Sequence, residues 1–264
     1  MSEWTPNPKS GYDWFVEQFK VATGIDLAYY KRPQMERRLL ALCNKRGFSS
    51  FEEYFPAVCQ DDLLMNELLD RMTINVSEFF RNPNRWQTLK NDILPSLLTG
   101  KTFHAWSAAC STGQEPFTLL MILAELLPIE QISILATDID LHALEFAQNA
   151  TYTETDVASI EKNLRNKYFI PSDNGKVMIH PFYRKHVFFE QHNLLSDPYP
   201  KQLDLIICRN VLIYFTDDAK NLLIEKFSRA LRPGGILFVG GTEQIFHPES
   251  FRLKQISPFF YQRI

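Results

Sequence analysis

Residues 102–140 constrain the fold of this chain more than any other segment. A short apolar run from Thr102 to Ala108 breaks at a small-residue turn holding Ser111, Thr112 and Gly113, and a long amphipathic segment follows. A second apolar run then ends on Asp138. Strand, glycine turn, helix, strand and acidic residue in that order make the first half of a nucleotide-binding α/β sheet. The acid at the second strand end is placed to take a ribose hydroxyl pair. The turn carries one glycine, is not a dinucleotide-type G-x-G-x-x-G, and leaves no room for a pyrophosphate. A ligand with an adenosine and no phosphates fits it better, and S-adenosylmethionine is the common one.

From residue 102 strands and helices alternate. Strands are predicted at 102–108, 132–137, 187–192, 203–208 and 235–240, helices at 114–127, 140–149 and 217–231, and a closing pair of strands between Phe251 and Ile264. Before it, residues 11–98 read as helices only: Gly11 to Ala22, Leu27 to Arg46, Ser50 to Gln60, Asp62 to Arg71 and Arg85 to Leu97. Thr99-Gly100-Lys101 interrupts the pattern, so an all-α N-terminal domain is expected over 1–98 and an α/β domain over 99–264. Residues 165–187 break the α/β rhythm. Pro171-Ser-Asp-Asn-Gly175 is strong turn chemistry between apolar stretches, which predicts a small antiparallel β insert suited to docking more than to the core.

A net charge of −3 and a pI near 6.1 argue against general nucleic-acid binding. No apolar stretch approaches the roughly 20 residues of a membrane span. The first residues lack the basic start and apolar core of a signal peptide. Cys43, Cys59, Cys110 and Cys208 have neither metal spacing nor a disulfide rhythm, and no metal site is expected. The composition fits a soluble cytoplasmic protein, taken here as a monomer without membrane insertion.

Four further segments can converge beyond the carboxyl ends of the strands, where open α/β sheets bind ligands. They are T-x-N-x-S-x-F-F-R at 73–81, N-L-L at 193–195, C-R-N-V-x-I-Y-F at 208–215 and Gly240-Gly-Thr-Glu243. With W-S-A-x-x-S-T-G-x-E-P at 106–116 and A-T-D-I-D at 136–140, the chain resembles the chemotaxis receptor methyltransferases (CheR-type), which methylate receptor glutamates using S-adenosylmethionine. The resemblance runs from about residue 70 to 245, and the helical N-terminus is also similar. Ser77, where the family usually has threonine, keeps the hydroxyl; Gln114 replaces a common glutamate and leaves Glu115 as the only carboxylate of the turn.

The resemblance implies a Rossmann-like methyltransferase domain and a set of roles. Asp138 would accept the ribose hydroxyls, unless it is simply a helix N-cap. Glu115 would bind the cofactor's α-ammonium. Asn75, Ser77 and Arg81 would hold the methionine end, with Arg81 also near the incoming substrate, unless Arg81 is an interdomain ion pair. Asn193 and Leu194 would frame the adenine, and Arg209 and Asn210 would close the pocket floor. Tyr214 would lie close to the transferring methyl, with a buried core tyrosine as the rival reading. Arg81 and Tyr214 are thus the catalytic candidates. A glutamate carboxylate, with a reference pKa of about 4.3, is ionised at neutral pH and needs no general base.

Lys31, Arg38 and Lys45 stand seven apart on one face of the helix predicted at 27–46. They form either a solvated basic face or a dock for the acidic cytoplasmic helices of a receptor. Some family members use the β insert to hold a receptor's peptide tether by strand addition. The stretch from Phe169 to Asn193 is a few residues short for that, so tether-independent binding is expected. Two other functions remain open: a non-catalytic module that senses S-adenosylmethionine, and a methyltransferase for another protein or a small molecule.

Overall fold

In the computed structural model, which describes residues 11–73, 75–98 and 100–264, contacts divide the chain into two units. The first takes the described residues up to 73 together with 214–219; the second takes 75–213 and 220–264.

Four helices make the first unit: α1 Tyr12–Thr23, α2 Arg32–Lys45, α3 Phe51–Val58 and α4 Asp62–Met72. Phe15 of α1 stacks on Phe51 of α3 at 4.7 Å and meets Phe55 edge-on at 5.3 Å, which fixes these helices against each other. Ser50 caps α3 by accepting the Glu53 N–H at 3.3 Å, as its spacing to Glu53 predicts. A late piece of chain joins this unit. Tyr30 and Phe215 form an antiparallel bridge, flanked by Lys31 N–H to the Tyr214 carbonyl at 2.8 Å and Thr216 N–H to the Tyr29 carbonyl at 2.9 Å.

The second unit begins with a helical run, α5 Pro83–Thr88, a π turn Leu89–Ile93 and α6 Leu94–Leu97. Then come β1 Phe103–Ala108, α7 Gln114–Leu123, β2 Ile132–Asp138, α8 Leu141–Asn149, β3 Thr151–Tyr152, α9 Lys162–Tyr168, β4 Phe169–Pro171, β5 Val177–Ile179 and α10 Pro181–Arg184. β6 Val187–Gln191, β7 Leu203–Cys208, α11 Asp217–Ala230, β8 Leu231–Val239, β9 Leu253–Ser257 and β10 Phe260–Arg263 complete the chain. The main sheet has seven strands in the order β6-β2-β1-β7-β8-β10-β9. β6, β2, β1, β7 and β8 run parallel, and β10 is antiparallel to both β8 and β9. The order reverses between β1 and β7, so the ligand crevice of such a sheet lies over the carboxyl ends of these two strands. Every residue of β7 is buried, as a central parallel strand covered on both faces requires.

Two expectations meet a different arrangement. The helical run 83–97, read from sequence with the N-terminal helices, belongs to the sheet unit. Its apolar stripe of Trp86, Leu89, Ile93 and Leu97 is buried in one cluster with Phe103, Phe117 and Phe238. The predicted β insert does form a three-stranded antiparallel sheet, β3-β5-β4, but it is not a mere surface excursion. Tyr152, Tyr168, Phe169, Val177 and Ile179 all enter the main core. Tyr152 also donates its hydroxyl to the Thr112 carbonyl at 3.0 Å, bracing the turn after β1.

Gly113 sits in that turn with φ +92°, and a Cβ there would stand 2.9 Å from Ala147 Cβ. Gly113→Ala should therefore cost about 2–4 kcal/mol in a urea titration, from left-handed strain plus overpacking. Gly24→Ala, with φ +74° and nothing within 4 Å, should cost only about 1–2 kcal/mol. Equal losses at the two positions would show that the Ala147 contact is easily relieved.

Candidate functional site

Asp138 ends β2 and stitches two turns together. Its Oδ2 accepts the Ser111 N–H at 2.8 Å from the turn after β1, and its Oδ1 accepts the Asp140 N–H at 3.1 Å. Helix capping falls to Asp140 instead, whose Oδ1 accepts the Ala143 N–H at 3.1 Å. The Asp140 Oδ2 takes the Asn75 amide at 2.6 Å, and Asn75 Oδ1 in turn accepts the Ser111 hydroxyl at 3.1 Å. An ionised carboxylate offers about four lone-pair sites, so Asp138 keeps roughly two for a ligand. Burial pushes its carboxyl above the ordinary carboxylate value, and the backbone N–H groups of Asp140, Ser111 and Ile139 pull it partly back.

Glu115, in the first turn of α7, accepts the Ser107 hydroxyl at 2.8 Å. Its nearest cation is Arg209, whose Nη1 stands 3.5 Å away, the outer limit of a hydrogen bond. The guanidinium is better engaged elsewhere: its Nη2 donates to the Arg81 carbonyl and to Asn82 Oδ1, both at 2.9 Å. Burial raises the Glu115 carboxyl, and Arg209 and Ser107 only moderate the shift. A largely buried carboxylate with one hydroxyl and one long ion pair can take a further positive charge.

Beyond β7 the chain turns at Asn210, a non-glycine residue with φ +63°. Glu243 holds that turn: its Oε2 accepts the N–H groups of Asn210 at 2.8 Å and Gly240 at 2.7 Å, and its Oε1 accepts Ile213 at 3.3 Å. A side chain at Gly240 would collide with this carboxylate. Beyond β6, His192 N–H bonds the Asp138 carbonyl at 2.9 Å, so the following loop starts beside Asp138. Asn193 Oδ1 is occupied by the Leu195 N–H at 3.0 Å, which leaves the Asn193 amide hydrogens as its outward donors; Leu194 is buried.

Within the second unit Ser111 links Asn75 to Asp138, Arg209 pairs with Glu115, Glu243 holds Asn210, and the 193–194 loop adjoins Asp138. Arg81 contributes its carbonyl to Arg209, while its own guanidinium reaches only the Val76 carbonyl at 3.3 Å and Glu78 at 3.9 Å. Ser77 is half-buried on the same stretch. Tyr214 lies with the first unit, half-buried, its carbonyl accepting from Lys31. The basic triad is also there, and partly committed to folding. Arg38 donates to the carbonyls of Arg71 and Thr73 at the end of α4, and Lys45 shares Glu67 with Arg46. Asn82, Ser107, Ser111, Asp140, Tyr152 and Glu243 were not assigned from sequence, although Ser107, Ser111, Asp140 and Glu243 fall inside the motifs.

At this end of the sheet Asp138, Asp140 and Glu243 are buried, and the buried Arg209 guanidinium pairs with Glu115. That donor set fits a ligand with an ammonium, a sulfonium and a ribose diol, as S-adenosylmethionine has. Among the described residues no group of acidic, histidine or cysteine side chains could hold a metal ion, and no helix is long and apolar enough to cross a membrane.

The family model for the CheR methyltransferase all-alpha domain matches residues 10–73, and that for the CheR methyltransferase SAM binding domain matches residues 75–260. The break between them falls where contacts divide the chain. The chemotaxis protein methyltransferase of Listeria monocytogenes is 40% identical over 259 residues, covering 97% of this chain and 98% of that protein. The corresponding protein of Borreliella burgdorferi is 34% identical, covering 91% of this chain and 89% of its own. Chemotaxis protein methyltransferase 2 of Vibrio cholerae is 31% identical, over 90% of this chain and 88% of that one. This chain belongs to the CheR methyltransferase family and takes S-adenosylmethionine as its cofactor.

Proposed function

We propose that this chain transfers the methyl group of S-adenosylmethionine to glutamate side chains in the cytoplasmic helices of chemoreceptors, forming γ-methyl esters in chemotactic adaptation. The observation that carries the reading is Glu115 and Asp138, two largely buried carboxylates with acceptors left over beyond one hydroxyl, backbone N–H groups and a guanidinium at 3.5 Å. The names of the relatives supply the receptor.

When bound, S-adenosylmethionine would supply an electrophilic methyl to an ionised carboxylate. Asp138 orients the ribose, Glu115 takes the ammonium, Asn75 and Ser77 line the methionine end, and Asn193 with Leu194 frames the adenine. Arg209 and Asn210 form the floor. Opposite charges diminish together in the transition state, so in-line positioning and a site with little water provide most of the acceleration. Arg81 orients the incoming carboxylate, and its loosely held guanidinium suits a group that steers without gripping. Tyr214 is assigned to the methyl end.

Asp138→Ala should weaken S-adenosylmethionine binding about 10- to 150-fold, the loss of charged hydrogen bonds to two hydroxyls. The pH dependence has a definite sign. Glu115 and Asp138 lie above their ordinary values of 4.5 and 3.8, and a cationic ligand favours their ionised forms. Binding should therefore release protons in weakly acidic solution, and affinity should fall as pH drops through the raised values. Calorimetric titrations in two buffers of different ionisation enthalpy would read this, and identical heats would remove both acids from the site.

Transfer of tritiated methyl groups to receptor cytoplasmic fragments, with base-labile label as the readout, tests the reaction itself. Arg81→Ala should lower single-turnover methylation far more than it lowers cofactor affinity, and a folded variant with the wild-type rate would end its assignment. For the basic face, Lys31→Glu with Lys45→Glu should slow receptor methylation, and the wild-type rate should fall with salt, which screens such attraction over about 8–10 Å. Arg38→Glu should instead lower the melting temperature. A salt-insensitive rate together with a fully active double variant would reduce the face to ordinary solvated surface.

A further inference from the structure

Lys226 of α11 is a partly buried cation outside the residues assigned to the cofactor, and it spends all its donors on one loop. Its ammonium donates to the carbonyls of Leu194 at 2.8 Å, Leu195 at 3.2 Å and Asp197 at 3.2 Å. An ammonium has three N–H donors, so the group is saturated by main-chain oxygens of residues 194–197. The same ammonium lies 4.2 Å from the Tyr199 ring centroid, and the Tyr199 hydroxyl donates to the Leu194 carbonyl at 2.8 Å. Tyr199 packs edge-on against Trp106 of β1 at 4.8 Å, and Trp106 donates its indole N–H to Thr137, next to Asp138, at 2.9 Å.

The loop's internal bonds run the other way. Asn193 N–H bonds Asp197 Oδ2 at 2.8 Å, Leu195 N–H bonds Asn193 Oδ1 at 3.0 Å, and Asp197 N–H bonds the Asn193 carbonyl at 2.9 Å. With these donors used and three carbonyls drawn toward Lys226, the directed donors left near the adenine position are the Asn193 amide and the Leu194 N–H. Burial also makes the ammonium harder to keep charged than an ordinary lysine, a cost that an exposed salt bridge would not incur.

We propose that Lys226 is a positioning residue for base recognition: by holding the carbonyls of Leu194, Leu195 and Asp197 it fixes the loop in the shape that presents hydrogen-bond donors to the adenine edge. The proposal rests on the reading that Asn193 and Leu194 frame the adenine. Donors suit the N1 acceptor of adenine and oppose the N1–H of hypoxanthine, so the loop should prefer an adenosyl ligand over an inosyl one.

The test uses the full chain, methylation kinetics, and inhibition by S-adenosylhomocysteine and S-inosylhomocysteine. Lys226→Met, similar in length but without charge or donors, should raise KM for S-adenosylmethionine about tenfold, with the change in KM rather than kcat. It should also narrow the preference for the adenosyl inhibitor, and Lys226→Arg should restore most of both. Unchanged KM and base preference in Lys226→Met would overturn the proposal, as would a loss of kcat and melting temperature with base preference intact, the mark of a purely structural plug. If Lys226→Met does not fold, Tyr199→Phe removes one bond to the Leu194 carbonyl and keeps the ring under the ammonium. It should narrow the preference by a smaller factor, and no change there overturns the proposal equally. Asn193→Ala separates the two levels. If it alone alters base preference, the adenine loop stands and the role of Lys226 falls; if neither variant alters it, both fall.

Discussion

The guanidinium of Arg209 is the interaction on which the crevice end of the sheet depends. It is buried at the end of β7, between the rings of Trp86 and Phe238 with centroids 5.4 and 4.8 Å away. Two of its donors reach back to Arg81 and Asn82, which fastens the 75–82 stretch to the central strand. A charge in such a place is tolerated only with hydrogen bonds and counter-charge, and burial lowers its hold on its proton while the Glu115 carboxylate opposes that. The arrangement is also asymmetric. The guanidinium's shortest bonds go to neutral oxygens, and its pairing with Glu115 is the longer one, at 3.5 Å.

A second linkage fixes the turn between β1 and α7 from several sides. Asp138 holds the Ser111 N–H, Asn75 holds the Ser111 hydroxyl, and Tyr152 of the small sheet holds the Thr112 carbonyl. Ala109 and Ser111 both adopt positive φ in this turn, at +66° and +49°, conformations that cost energy in non-glycine residues and persist where the surroundings enforce them. The small sheet therefore supports the nucleotide turn as well as offering a surface. A residue so far along the chain as Tyr152 ties the shape of the insert to the shape of the cofactor site.

The central strands of the main sheet were legible in the sequence because buried parallel strands are short, largely apolar runs that end at turn residues, as β1, β2 and β7 do. The acids and amides of the candidate site lie in the ordered motifs. Periodicity was less informative about partners. The stripe Trp86, Leu89, Ile93 and Leu97 shows which side of a helix is apolar but not what covers it, and so the run 83–97 read as part of the helical domain. Likewise Asp138 and Asp140 are equivalent as letters, and only the backbone N–H groups that each meets separate the turn-stitching acid from the helix cap. Arg38 resembles its neighbours on the basic face until the carbonyls of Arg71 and Thr73 claim it. Glu243 bonds backbone rather than side chains, and nothing in residue type marks that.

The three raised carboxyls of the site divide by what they leave unspent. For an acid whose folded value lies above its unfolded one, stability is fully present below the unfolded value and is lost as pH rises through the folded value. Burial places Glu115, Asp138 and Glu243 all in this class, so at neutral pH each ionised carboxylate opposes folding to some degree. Glu243 offsets the cost by accepting backbone N–H groups from Asn210, Gly240 and Ile213, a structural use that shapes the chain beyond β7. Glu115 and Asp138 are only partly satisfied, by Ser107 in one case and by two backbone N–H groups in the other. In the proposed reading their remaining acceptors take an ammonium and a ribose diol. Cofactor binding should thus relieve the same desolvation that opposes folding, which couples affinity to stability through the two acids.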